Sequence, residues 1–333
     1  MQLSAEKVWY SSTKELTILL NAGAFMPKPK LIRFYAPSFM YHKTRYYNSS
    51  TTDFQTISLT GVACALNCKH CGGKVLETMQ SAESPESLFK LATKLKQKGS
   101  LGCLISGGCK PDGSVPLAPF ISTIEKIKRE LGLTIFVHTG IIDSDVALAL
   151  KNAGVDAALI DVIGSNETIS QVYNLNVTIK DYAASLKILQ DAGLNLVPHV
   201  IVGLDNGKLK GEFEALKMIA AVRSSAIVII AFMPIRGTAM ARVKPPQPAK
   251  IAKVIATARL MFPKTPLVLG CVRPKGKHRV ETDVLALKAG ADGIAFPSEK
   301  AIKYAEGEGC TLTFSSYCCA QIYVKDTSRR ISK

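Results

Sequence analysis

The 333-residue sequence is poor in acidic side chains, with 26 against 42 basic ones, and it holds a single tryptophan. It has no apolar run near the ~20 residues that a bilayer-spanning helix needs. The longest, Ile227 to Ile235, suits a buried strand, and no membrane role is expected. The first residues place Glu6, Lys7, Lys14 and Glu15 among apolar positions, so they lack the unbroken apolar core of an export signal. A cytoplasmic protein is expected. No polybasic block and no interleaving of aromatic with basic residues occurs, which argues against nucleic acid as a partner. Without an export signal, the nine cysteines are not expected to form a disulfide framework, because cytosolic thiols are kept reduced.

What is present points to a well-buried globular chain, with 47% hydrophobic and 20% charged residues. The net charge of +16 is either a solvated basic surface or an attraction for acidic partners. From residue 56 onward, apolar β-branched runs alternate with helix-like stretches. Strands are expected at Thr56–Val62, Cys103–Ser106, Thr134–His138, Ala157–Asp161, Leu194–Val202, Ala226–Phe232, Pro266–Cys271 and Gly293–Phe296. Helices are expected near 85–98, 117–130, 144–153, 180–192, 211–222, 248–261, 281–289 and 298–306. Continuous apolar strands joined by helices indicate a parallel sheet covered on both faces. Ser84 and Asp143 stand where N-caps belong, and Ala153-Gly154, Ala192-Gly193 and Ala289-Gly290 close helices as left-handed glycines do. Eight β–α units over roughly 250 residues predict an α/β fold of the (β/α)8 TIM-barrel type, with a doubly wound sheet as the alternative. The expected division is an aromatic, basic N-terminal extension over 1–50 (Tyr35, Phe39, Tyr41, Tyr46, Tyr47), a barrel over 51–309, and a tail over 310–333.

Directly after the first expected strand comes Cys64-Ala65-Leu66-Asn67-Cys68-Lys69-His70-Cys71, then Gly72-Gly73. One short loop with this C-x3-C-x2-C spacing can wrap three corners of a cubane iron–sulfur cluster, which prefers thiolates. No fourth cysteine follows at matching spacing, so one iron would keep an open position able to chelate a small molecule. A structural zinc loop would need a fourth ligand. His70 offers one, but its place beside Cys71 makes joint ligation awkward. Buried inert cysteines and a cluster used only for electron transfer are the other readings.

The loop, its place after the first strand and the strand ends below resemble the radical S-adenosylmethionine (SAM) superfamily. That resemblance implies a [4Fe–4S] cluster on Cys64, Cys68 and Cys71, with S-adenosyl-L-methionine as second cofactor. It also implies reductive cleavage of SAM to a 5′-deoxyadenosyl radical and an electron donor such as a ferredoxin. The aromatic residue common before the last cysteine is here His70, whose ring would lie beside the adenine. Ser106, Gly107 and Gly108 at the second strand end match the segment that binds the SAM ammonium group. His138 ends the third strand. Asp161 ends the fourth, where the family often binds ribose hydroxyls, and an N-cap is its plainer reading. His199 and Gly203 lie on the apolar fifth strand that flanks the adenine, and His199 reads equally as a core histidine. Met233 and Pro234 follow the sixth strand on the same side.

Over 56–320 the sequence looks like the biotin synthase-related branch, and more closely like the two-protein type of lipoyl synthase. Shared features are Ser-Gly-Gly-Cys at 106–109, Pro-His-x-Ile-x-Gly-Leu at 198–204, Gly-Cys-x-Arg-Pro at 270–274 and the late Cys318-Cys319. This implies a second iron–sulfur cluster, consumed as sulfur donor, with Cys109, Cys271, Cys318 and Cys319 as candidate ligands and buried inert thiols as the plainer reading. Biotin synthase's own second-cluster cysteines on the third and fifth strands are absent: Val137–His138 and Val197–Pro198 occupy those places. The implied reaction is sulfur insertion into unactivated C–H bonds of a protein-bound octanoyl chain. Its partners would be an acidic lipoyl/octanoyl carrier protein and a second synthase subunit. The alternatives are biotin-type insertion, methylthiolation, or a non-catalytic cluster-binding partner subunit.

Overall fold

A computed structural model describes residues 3–26, 31–38, 40–324 and the backbone of 329–330. Phe39 and most of the Lys/Arg-containing end lie outside the described residues. The strands are β1 (Leu31–Tyr35), β2 (Phe54–Ser58), β3 (Gln80–Ser81), β4 (Gly102–Ser106), β5 (Thr134–His138) and β6 (Ala157–Asp161). They continue as β7 (Leu196–Val202), β8 (Ile227–Ala231), β9 (Leu267–Leu269), β10 (Gly293–Ala295), β11 (Thr311–Ser315) and β12 (Arg329–Arg330). The helices are α1 (Ala5–Tyr10), α2 (Thr13–Asn21), α3 (Pro85–Gln97), α4 (Ile121–Leu131), α5 (Ser144–Asn152) and α6 (Asn166–Tyr173). After these come α7 (Ile179–Asp191), α8 (Glu212–Ala220), α9 (Pro248–Met261), α10 (Lys277–Lys288) and α11 (Glu299–Gly307).

All eight expected strands form, as β2 and β4 through β10, and each runs parallel to its neighbours. Local chemistry sets the boundaries. Ser84 caps α3 through the Ser87 amide, with Pro85 in the first turn, and the Asp143 carboxylate caps α5 through the Val146 amide at 2.8 Å. Gly154, Gly193 and Gly290 take φ of +79°, +73° and +97° just past their helices, the left-handed exit that a side chain resists. The first expected strand stops early, at Ser58, because the chain turns there into the cysteine loop.

The sheet order is β12-β11-β1-β10-β9-β8-β7-β6-β5-β4-β2-β3. Its two edge strands, β12 and β3, do not pair with each other among the described residues, so the TIM-type barrel is partial. The expected extension and tail are not appendages. β1 pairs parallel with both β10 and β11, register Phe34 to Ile294 and to Phe314, and so belongs to the barrel sheet. α1 and α2 pack on α9, and Trp9 of α1 stacks on Phe213 of α8 at 5.2 Å.

Two apolar layers result. One lies between sheet and helices; the other fills the barrel interior with Phe54, Phe136, Leu159, Val197, Val228 and Val268. The interior is completed by the tail, whose 3-10 turn Cys319–Tyr323 brings Cys319, Ala320 and Ile322 among those side chains. The Arg33 guanidinium donates to the Ile322 carbonyl, and the Tyr323 hydroxyl donates to the Asp156 carbonyl at 2.9 Å. Inward-facing positions alternate along each strand. His138, Asp161 and His199 share the parity of Phe136, Leu159 and Val197 and stand one layer nearer the C-terminal strand ends.

Candidate active site

Past Ser58 the chain is tied down by short hydrogen bonds. The Thr60 hydroxyl donates to the Ala63 carbonyl at 2.8 Å and accepts from the Gly108 amide at 2.7 Å. Three left-handed residues, Asn67 (φ 43°), Gly72 (49°) and Gly73 (74°), curl the loop back on itself. Burial alternates: Cys64, Leu66, Cys68 and His70 turn inward, while Ala63, Ala65, Asn67 and Lys69 are exposed. α6 braces the loop from beside it. The Lys69 amide donates to the Val172 carbonyl at 2.8 Å, and the Asn174 amide group reaches the Leu66 and Asn67 carbonyls at 3.2 Å each. Gly108 is dictated by this loop: a Cβ there would stand 2.0 Å from the Ala63 carbonyl oxygen and 2.6 Å from Cys64 Cβ.

The potential ligand atoms of Cys68, His70 and Cys71 lie within 4.8 Å of one another. Cys64 is near enough that its charge acts on Cys68. A hydrogen bond from the Cys68 thiol, aided by His70 and the Gly73 amide, favours the thiolate at Cys71 against the effect of burial. The same hydrogen bond and burial hold the proton on Cys68. Three thiols on one curled loop, one predisposed to be thiolate, fit an iron–sulfur cluster with one iron free of protein sulfur. The His70 ring packs on Tyr173 at 5.0 Å, and its Nδ1 is buried without a partner.

His138 and Asp161 at the ends of β5 and β6, and His199 in the middle of β7, also converge within 4.8 Å. Asp161 and His199 are paired in register, His138 Nε2 lies 3.5 Å from Asp161 Oδ1, and the two imidazoles stack at 5.7 Å. Burial would raise the Asp161 carboxyl, but His138, His199 and His70 outweigh it and hold it below its ordinary value. Burial pushes His199 down to about 4, with Asp161 opposing, so it is neutral at physiological pH. His199 Nδ1 is buried and unpartnered. A carboxylate flanked by two imidazoles can accept hydroxyl hydrogen bonds while an imidazole N–H donates others, as a ribose requires.

The remaining expected residues frame the same mouth. Ser106 ends β4, where its carbonyl accepts from the Leu59 amide at 2.8 Å, and Gly107 follows against Thr60. Gly203 follows β7 at φ +83°, with a Cβ there colliding with Pro246 at 2.7 Å, and Met233 and Pro234 are half-buried after β8. The four second-cluster candidates separate. Cys109 stands beside the first loop, where Cys64 and Cys71 act on it, and its carbonyl accepts from the Ala65 amide at 2.9 Å. Cys271, Cys318 and Cys319 meet instead in the barrel interior, where Cys318 acts on Cys271 and both act on Cys319. Burial pushes Cys271 up to about 11, whereas a hydrogen bond from Cys319 favours the thiolate at Cys318.

Sequence reasoning missed several supporting residues. Tyr173 and Asn174 were hidden in a helix that was not expected at all, although Asn174 is a residue type suited to its left-handed φ of 52°. Glu212, 4% exposed, accepts from the Gly203 amide at 2.8 Å and is pushed up to about 7, chiefly by burial. Arg273 and Asp283 form an ion pair that is 0% exposed on both sides, directly beyond Cys271.

Residues 58–210 match the Radical SAM superfamily. The chain is 26% identical to the biotin synthase of Leptospira biflexa over 63% of this chain and 60% of that protein. It is 26% identical to the biotin synthase of Prochlorococcus marinus subsp. pastoris over 71% of each chain. The Zymomonas mobilis biotin synthase matches at 26% over 77% of this chain and 76% of that protein. In fold the chain is similar to methylornithine synthase (PylB), with a TM-score of 0.61 over 93% of this chain and 94% of that one, at 16% identity. It is likewise similar to the [FeFe]-hydrogenase maturase HydG, with a TM-score of 0.63 over 96% of this chain and 72% of that one, at 14% identity. A three-thiol loop at the mouth of a parallel α/β barrel, with a Radical SAM match over 58–210 and these relatives, makes the chain similar to radical SAM enzymes on the biotin synthase-related side of the superfamily.

Proposed function

We propose that this enzyme inserts sulfur into unactivated C–H bonds of an octanoyl chain carried on a protein, the chemistry of lipoyl synthesis. The observation that carries this reading is the interior trio Cys271, Cys318 and Cys319, gathered among apolar side chains in a place distinct from the three-cysteine loop. A radical enzyme that only rearranges its substrate has no need of a second group of buried thiols.

Cys64, Cys68 and Cys71 would hold the first cluster, and His70, Ser106 and Gly107 border the space for SAM. Together, cluster and SAM supply a 5′-deoxyadenosyl radical able to abstract hydrogen from an aliphatic carbon. The chain's own contribution is placement and exclusion. Asp161, held ionised between His138 and His199, is suited to the ribose hydroxyls. The apolar interior beneath it keeps water from a reactive carbon and suits a hydrocarbon chain. Cys318, disposed to be a thiolate, with Cys319 and Cys271, would hold the second cluster as sulfur source. Arg273 fixes the segment that carries Cys271 by donating to the Gly270 carbonyl at 2.6 Å.

A second reading, biotin-type insertion into a free small molecule, is supported by the names of the relatives. Against it, β5 and β7 carry no cysteine. The anaerobically reconstituted chain, with SAM and reductant, is offered an octanoylated carrier protein, an octanoyl-lysine peptide or dethiobiotin, and the products are weighed by mass spectrometry. One or two sulfurs gained by the octanoyl substrates support the proposal. Sulfur in dethiobiotin alone, or none in any substrate with or without a second synthase component, refutes it. About eight irons per chain are expected, against about four for a single cluster.

A further inference from the structure

The two faces of β1 meet different layers. Ile32 and Phe34 enter the layer between sheet and helices, whereas Tyr35 enters the barrel interior with Cys318, Cys319 and Cys271. Arg33 shares the inner face with Tyr35, two residues away, and its guanidinium donates to the Ile322 carbonyl in the tail's 3-10 turn. Gly293 on β10 makes room for both. A Cβ there would stand 3.0 Å from Ile322 Cδ1 and 3.3 Å from Tyr35 Cε2, so the Tyr35 ring and the turn that begins at Cys319 flank one glycine. The backbone of Tyr35 is fixed as well. Its carbonyl accepts from the Phe296 amide at 2.6 Å, and the Ala36 amide donates to the Ser315 carbonyl at 2.9 Å.

A phenol in this place has one hydrogen bond to give. Tyr35 is 2% exposed, which withdraws its hydroxyl from bulk water. Arg33 hydrogen-bonds that hydroxyl, and a guanidinium can only donate. The phenol oxygen is therefore the acceptor towards Arg33, and its own hydrogen is left for a different partner. Burial holds that hydrogen on the oxygen; Arg33 opposes the effect, and Cys319 and Cys318 add to it. A buried hydroxyl hydrogen left without an acceptor is costly. The thiols of Cys318 and Cys319 are the sulfur acceptors that bear on it, and a bond to an ionised sulfur belongs to the stronger, charge-assisted class.

We propose that the Tyr35 hydroxyl, held from behind by Arg33, donates a hydrogen bond to the sulfurs of the Cys318–Cys319 pair and so raises the reduction potential of the cluster on the interior thiols. Tyr35 is a positioning residue in this role. It touches ligand sulfur and makes no bond to iron, and it keeps its proton. Hydrogen bonds to the sulfurs are one of the levers on a cluster's potential. A donor favours the more negative, reduced state, which fixes the sign of the effect. The inference rests on the sulfur-insertion reading, because it needs a cluster on Cys271, Cys318 and Cys319.

The test titrates the reconstituted full chain with a mediated reductant, read by electron paramagnetic resonance. It is run on the intact chain and on C64A/C68A/C71A, where iron reports the interior site alone. Tyr35→Phe removes only the hydroxyl and should leave the iron content unchanged. It is expected to shift the interior cluster about tenfold towards its oxidised form, 59 mV for a one-electron couple. Difluorotyrosine placed at position 35, a stronger donor of the same shape, should shift it the other way by about threefold. Tyr304→Phe, on α11 and outside the barrel interior, should change nothing. If Y35F loads no interior iron, the difluorotyrosine chain decides by the sign of its shift. An unshifted Y35F, shifts of one sign in both chains, or an equal shift in Y304F would each overturn this proposal alone. No interior iron in either background would instead refute the sulfur-insertion reading, and this inference with it.

Discussion

Removing the Asp283 carboxylate isolates a cation in the core. Arg273 and Asp283 are both 0% exposed, with Nε to Oδ1 at 2.8 Å. The guanidinium also donates to the Gly270 carbonyl at 2.6 Å and the Phe296 carbonyl at 3.2 Å, while Asp283 Oδ2 accepts from the Ser298 amide at 2.8 Å. These bonds tie the segment after β9 to α10 and to the segment after β10. Asp283→Ala leaves a desolvated guanidinium with only carbonyl partners, and breaking a buried pair on one side costs about 3–5 kcal/mol. Both partners replaced together, as R273M/D283L, should recover most of that loss, because the desolvation penalty disappears with the charges. Urea unfolding followed by circular dichroism measures both variants, and the coupling follows from the double-mutant cycle. A D283A loss below about 1 kcal/mol, or a double variant as unstable as the sum of the singles, would refute the reasoning. Because the pair also fixes the segment carrying Cys271, the proposed second cluster predicts that D283A loses iron from the interior trio before it loses iron from the loop.

Gly108→Ala should abolish cluster loading while leaving the helical circular dichroism intact, since its Cβ would meet the Ala63 carbonyl at 2.0 Å; normal iron content would contradict this. Glu212 binds its proton more tightly folded than unfolded, its carboxyl being pushed up from 4.5 to about 7 by burial. That contribution is complete below pH 4.5 and is lost as pH rises through about 7. Glu212→Gln should therefore flatten this part of the stability profile by up to about 3 kcal/mol, at 1.36 kcal/mol per pH unit. A variant with the wild-type slope would exclude Glu212 as its source. Replacing Cys64, Cys68 and Cys71 by alanine should remove the loop's iron and all reductive SAM cleavage, and a visible spectrum unchanged from wild type would exclude the loop as cluster ligand.

The barrel core was readable because its two periodicities are loud. Parallel strands buried on both faces must be apolar throughout, and helices between them must be capped, so runs such as Ala157–Asp161 and caps such as Asp143 could be placed from sequence. β1 was missed because five residues with an Arg at the centre look like an aromatic, basic extension. Only pairing with β10 and β11, both distant in sequence, makes them a strand. The three-cysteine loop was legible because its ligands are local. The grouping of the other cysteines was not. Cys109 differs from Cys271 in which way a strand end turns, and spacing carries no information about that. Glu212 stayed hidden because a glutamate beginning a helix ordinarily reads as favourable exposed charge at an N-terminus, and its burial depends on packing around Gly203.

The 3-10 turn at Cys319–Tyr323 gives this barrel a floor supplied from a segment remote in sequence from the strands it covers. Hydrogen bonds join it to position 33 and position 156, contacts that span 289 and 167 residues. Until that turn arrives, Phe54, Phe136 and Val197 face an open cavity, and Cys318 and Cys319 cannot reach Cys271. The interior thiols thus come together only when this remote segment docks, whereas the three thiols of the loop are neighbours in sequence. Shortening the chain before Tyr317 should leave the first site loadable and the second without two of its three thiols.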